Sequence, residues 1–163
     1  MAEYDSRIAV AAGPVAAFSY LADIANLAQW DPNVRSVTAM AEGSPDVGSK
    51  YVMTIGFYGK AIELTGEIVE LDSPHRLVLG VVGGRVRGRY LITVAAEAAT
   101  EETDAGSAPA GRADRAGSVI TYNVTLELRG AARLLDRGLQ LALSGIGENA
   151  VNGLRKRLDA TVS

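Results

Sequence analysis

The sequence contains no cysteine and a single histidine, His75. The first absence removes disulfide frameworks, thiol nucleophiles and thiolate metal sites; the second removes multi-histidine metal centres and confines Ser-His-Asp chemistry to one position. Aromatic residues are scarce, with one Trp and two Phe beside six Tyr. There is no uninterrupted apolar run long enough to span a bilayer and no cationic, apolar leader, so membrane insertion is not expected and a cytoplasmic location is. Charge is nearly balanced, at a net −3. A nucleic-acid partner would require a concentrated basic face, which this chain lacks. Neither a metal nor any other cofactor is expected.

The 163 residues suffice for one domain with a substantial core, 1–163. The most regular segment is the last, from Gly130 onward. Leu135, Leu139, Ala142, Leu143, Ile146, Ala150, Val151, Leu154 and Leu158 recur every three or four residues, the stripe of an amphipathic helix. Gly138, Gly145, Gly147 and Gly153 interrupt it, each costing about 1 kcal/mol of helix propensity relative to Ala. Such a row implies that something needs space, either a close approach of helix to sheet or a cavity that the helix roofs.

Ahead of this helix, Tyr4–Val10 reads as a strand. Gly13 and Pro14 then suit the cap and first turn of a short helix whose apolar side is Val15, Phe18, Leu21, Ala22 and Ala25. Asp23 and Asn26 offer caps for a second short helix ending near Trp30, and Asp31-Pro32-Asn33 turns the chain. From Val34 the period becomes two. Six strands are expected, at Val34–Ala41, Ser49–Tyr58, Lys60–Leu71, Arg76–Val82, Arg85–Ala95 and Ser118–Arg129, joined by Gly- and Pro-bearing turns into an antiparallel meander. Between the last two, residues 96–117 hold no apolar side chain larger than Ala, the composition of a flexible hairpin insertion.

This order resembles that of the START-like, polyketide cyclase/dehydrase and lipid-transport superfamily (SRPBCC). The segment from Pro14 to Asp23, with Asn26-Leu27 and Trp30-Asp31-Pro32, is similar to that family's opening helices and tryptophan turn. Val47-Gly48-Ser49, Glu70-Leu71-Asp72-Ser73-Pro74 ahead of Arg76-Leu77, and Gly117-Ser118-Val119-Ile120-Thr121-Tyr122 match further strand entries. The resemblance spans essentially the whole chain and implies an α+β helix-grip fold: a seven-stranded antiparallel sheet wrapped around a long C-terminal helix, with two short helices after strand 1. Its members range from aromatase/cyclases to lipid and hormone carriers and quinone-binding proteins. Turn and core motifs do not select among them. The aromatic-cyclase subgroup fits less well, because the second aromatic expected beside Trp30 is absent.

Strand alternation places Tyr51, Met53, Ile55 and Phe57 on one face, Tyr90, Ile92 and Val94 on another strand's equivalent face, and Ile120, Tyr122, Val124 and Leu126 on the last. These rows would face the helix and outline a pocket with polar points in an apolar wall. The candidate ligand-binding residues are therefore Trp30, Tyr51, Met53, Phe57, Tyr90, Tyr122, Ile146 and Asn149. Arg85, Arg87 and Arg89 have the opposite parity and belong to a solvated outer face. The expected partner is a hydrophobic small molecule of polyketide, lipid or isoprenoid type, carried in the cavity. The alternative is a cyclase/dehydrase enzyme in which cavity tyrosines or Asp31 act on a carbonyl during aldol closure or dehydration; no catalytic dyad can be named from sequence. A protein partner, and the choice between monomer and homodimer, stay open.

Overall fold

The computed structural model describes residues 1–57, 59–97, 117–130 and 136–160. Seven strands form one antiparallel sheet: β1 (Ala2–Val10), β2 (Val34–Ala39), β3 (Lys50–Phe57), β4 (Lys60–Asp72), β5 (Arg76–Gly83), β6 (Val86–Ala96) and β7 (Ser118–Leu128). Their spatial order is β1-β7-β6-β5-β4-β3-β2. Consecutive strands from β2 to β7 are neighbours, an antiparallel meander, and β1 returns to pair with β7 from Ala2↔Leu126 to Val10↔Ser118. Of the expected insertion, residues 98–116 lie outside the described residues. Its neck is visible in the Glu97 N–H, which donates to the Gly117 carbonyl at 2.9 Å.

Helix α1 (Pro14–Ala22) begins as the sequence suggests, with Gly13 at the cap and Pro14 in the first turn. Ala17, Phe18 and Leu21 bury its inner side. Val15, expected on that side, is exposed. The one-turn 3-10 segment Ile24–Asn26 follows, capped by the Asp23 carboxylate, which accepts from the Ala25 N–H at 3.2 Å. It leads into α2 (Leu27–Trp30).

The C-terminal helix α3 (Asp136–Ala160) buries Leu143, Ala150, Val151, Leu154 and Leu158, spaced as its periodicity predicts. It runs along β1. The Gln140 carboxamide donates to the Glu3 carbonyl at 2.7 Å and accepts from the Glu3 N–H at 3.1 Å, so it satisfies part of the edge that β1 would otherwise leave open. At the other end the Asp159 carboxylate accepts from the Ala11 N–H at 3.0 Å.

Two of the four helix glycines answer the question the sequence leaves open in favour of close approach. A side chain at Gly147 would run into the ring of Tyr4, and one at Gly153 into the Trp30 carbonyl. Gly145 differs, because nothing lies within 4 Å of the position its Cβ would take. The buried rows of the strands are Tyr51 and Met53 on β3, Tyr90, Ile92 and Val94 on β6, and Ile120, Tyr122, Val124 and Leu126 on β7, while Arg85, Arg87, Arg89 and His75 are exposed. Register shifts between Val34 and Ser36 on β2, and between Ile68 and Glu70 on β4, bend the sheet where it curls around the helix. Among the described residues no helix is long and apolar enough to cross a membrane.

Candidate functional site

Where α3 crosses the β2–β3 side of the sheet, the two surfaces part into a narrow cleft. Val34, Ile55, Phe57, Val124, Leu126, Leu143 and Ile146 make its walls apolar, and Asp31, Asn33, Tyr90 and Tyr122 gather its polar atoms. The free space is about 20 Å³, room for about one water molecule.

Asp31 reaches this cleft because of the turn that carries it. Its N–H closes the last turn of α2 on the Leu27 carbonyl at 2.9 Å, and its own carbonyl accepts from the Val34 N–H at 3.0 Å. The chain reverses between these two bonds, and the Asp31 side chain is left only 3% exposed. Its Oδ1 accepts from both the backbone N–H and the side-chain amide of Asn33, each at 2.9 Å. The same amide donates to the Ile146 carbonyl at 3.2 Å, so Asn33 ties the turn to the middle of α3. Burial raises the Asp31 carboxyl above the ordinary carboxylate range, and the two Asn33 bonds only partly oppose that rise.

Tyr90 and Tyr122 stand beside it, with ring centroids 6.2 Å apart. Trp30 packs edge-on behind Tyr122 at 5.8 Å and Tyr4 at 6.5 Å, which fixes that ring from two sides. Burial, reinforced by the neighbouring Asp31 charge, pushes both phenols up, so each remains an O–H donor through the physiological range. Among the described residues no hydrogen bond reaches either hydroxyl or Asp31 Oδ2. They are the polar atoms that the cleft leaves to an occupant. Two donors and a carboxyl that burial biases toward its neutral form suit a carbonyl or hydroxyl group.

The eight residues singled out from the sequence do not all meet here. Phe57, Tyr90, Tyr122 and Ile146 line the cleft. Trp30 is buried behind Tyr122 and serves as a plug. Met53, 0% exposed, fills solid core against the Cα of Gly66. Tyr51 buries its ring but turns its hydroxyl to Ser49, in a separate pocket of about 160 Å³ near Asp23 and the β2–β3 turn. Asn149 is exposed and faces an outer groove instead of the cleft. Alternation identifies a face but not a position along the strand, and so it merged two pockets into one.

Asn33 was not singled out, although Asp31-Pro32-Asn33 contains the signal: an Asp whose carboxylate accepts from the backbone N–H two residues on forms an Asx turn. That pattern does not reveal that the turn is buried. Among the described residues no group of three or more His, Cys, Asp or Glu side chains could hold a metal ion.

The arrangement of strands and helices is shared with several solved structures. A Thermus thermophilus protein is 19% identical over 99% of both chains, with a TM-score of 0.73. A START superfamily protein from Mycobacterium smegmatis is 10% identical over 98% of both chains, with a TM-score of 0.72. The Zhui aromatase/cyclase from a Streptomyces species is 15% identical over 99% of this chain and 95% of its own, with a TM-score of 0.70. At such identities the likeness is one of fold. No curated protein matches the chain. Residues 1–159, however, match the family described as polyketide cyclase / dehydrase and lipid transport, and the chain, a helix-grip protein by its sheet and C-terminal helix, belongs to that family.

Proposed function

We propose that the protein binds an apolar small molecule of polyketide, lipid or isoprenoid type between the sheet and α3, as a carrier or binding protein. The observation that carries this reading is the cleft itself: apolar walls around three oxygens that no hydrogen bond reaches among the described residues. A free space of about 20 Å³ is far below the roughly 300 Å³ or more of a small-molecule site, so the ligand must displace α3 from the β2–β3 end as it enters. Asn33, Gly56 and Ile146 line both the cleft and the outer groove, which makes that end the entrance. Native mass spectrometry of the purified protein tests the proposal. An adduct of a few hundred daltons that organic extraction returns unchanged supports it; a chain that stays unliganded and takes up no apolar probe opposes it.

One observation favours a second reading, a cyclase/dehydrase-type activity. A buried carboxyl of raised pKa beside two phenol donors can accept a proton from the carbon next to a carbonyl while a tyrosine O–H stabilises the enolate oxygen. Incubation with a β-polyketo thioester separates the readings. Turnover that Asp31→Asn abolishes without loss of binding identifies an enzyme, and recovery of unchanged compound identifies a carrier.

A further inference from the structure

The two sides of the cleft entrance differ in the charge they offer a ligand. Inside, no cation is found among the described residues that line the cleft. Outside lies a groove of about 430 Å³, and Arg35 is the only charged side chain among the described residues that line it.

Arg35 reaches this groove by a local irregularity. β2 slips against β3 between Val34 and Ser36, so Arg35 occupies a bulge instead of a place in the regular alternation, and a bulge re-aims the side chain it carries. The guanidinium lies over Gly56 of β3: its Nε and Nη2 are 3.5 and 3.7 Å from where a side chain's first carbon would stand. Glycine leaves the backbone low enough there for the planar group to rest on it. No ion pair engages Arg35 among the described residues. Across the groove, α3 presents Leu141, which is 78% exposed, the free space beside Gly145, and the Asn149 carboxamide.

We infer that the ligand is an amphipathic acid: an aliphatic or polyketide-type chain ending in a carboxylate, which enters chain first and leaves its carboxylate on Arg35. This rests on the ligand-binding reading above and adds the polarity and orientation of the ligand. A carboxylate inside would be stripped of water between apolar walls that offer no cation among the described residues, whereas at the entrance it meets a fork of donors matched to its geometry. The exposed Leu141 side chain then covers the methylenes nearest the head group, which accounts for a large apolar residue held in water on an otherwise polar part of α3.

The test is a matched pair of competitors, dodecanoate and dodecanol, each displacing the neutral apolar dye Nile red from the full chain. Dodecanoate should bind about fivefold more tightly than dodecanol at low salt, the upper range for an exposed guanidinium–carboxylate pair. The preference should shrink as salt is added. Arg35→Gln, at an exposed position, should remove the preference and leave dodecanol unaffected, and Arg35→Lys should restore part of it. Equal affinities in the unaltered protein, or a preference that survives Arg35→Gln, overturn the inference while leaving the cleft reading intact. Failure of both competitors and the dye to bind overturns both.

Discussion

The glycines of α3 allow close packing to be separated from open space with single methyl groups. At Gly145 an added Cβ meets nothing within 4 Å, so Gly145→Ala should simply recover helix propensity, about 0.5 to 1 kcal/mol of added stability. At Gly147 the methyl would enter the Tyr4 ring, which is half-buried and able to shift somewhat. Overpacking of about 1 to 3 kcal/mol should outweigh the propensity gain of about 1 kcal/mol. At Gly153 the obstacle is the Trp30 carbonyl, main chain at the end of α2, which cannot swing aside as a side chain does. Gly153→Ala should therefore be the most damaging of the three. For a chain of this length about 1 kcal/mol moves Tm by about 2 to 4 °C, so the order should be readable in thermal melts and checked by urea titration at constant m-value. If Gly147→Ala and Gly153→Ala gain stability as Gly145→Ala does, the helix does not approach β1 and α2 as described.

Three further outcomes follow from the site and its surroundings. Because burial raises the Asp31 pKa above its unfolded value, the neutral form is favoured in the fold; stability from this group is present below about pH 4 and declines as pH rises through the folded value. Asp31→Asn keeps an acceptor for Asn33 and removes that decline, so its Tm advantage over the unaltered protein should grow from pH 4 to pH 7; parallel profiles would contradict the burial argument. Tyr122→Phe removes a hydroxyl that has no hydrogen-bond partner among the described residues and should change stability by less than about 0.5 kcal/mol, yet weaken a carbonyl-bearing probe by about 0.5 to 1.5 kcal/mol in a fluorescence titration. Replacing residues 98–116 by a short turn at the Glu97–Gly117 neck should leave Tm unchanged or slightly raised, since closure entropy changes slowly with loop length; a loss of several degrees would show that the segment packs on the domain.

Periodicity made the fold legible. The alternation of β3, β6 and β7 and the stripe of α3 each follow from burial on one face, and Gly13-Pro14 and Asp23 mark helix starts through backbone chemistry that is local. What depends on distance along an element was not legible. Tyr51 and Tyr122 share an inward parity but serve different pockets, because alternation carries no information about which part of the strand α3 covers. Asn149 shows the same limit on a helix, where one residue of rotation separates the inner wall from the outer groove. The burial of Asp31 depends on α2 and α3 meeting over a turn that, read alone, is polar and fit for the surface.

The measurement that bears most directly on a ligand cleft between sheet and helix is Nile red titration of the Ile146→Trp variant. Ile146 is half-buried and lines both the cleft and the groove, so an indole there should obstruct the entrance while the packed positions of α3, Leu143, Ala150 and Leu154, stay as they are. The variant should melt within a few degrees of the original and lose most of its dye affinity. Dye binding undiminished in a folded Ile146→Trp protein would place the ligand elsewhere and contradict a site between sheet and helix.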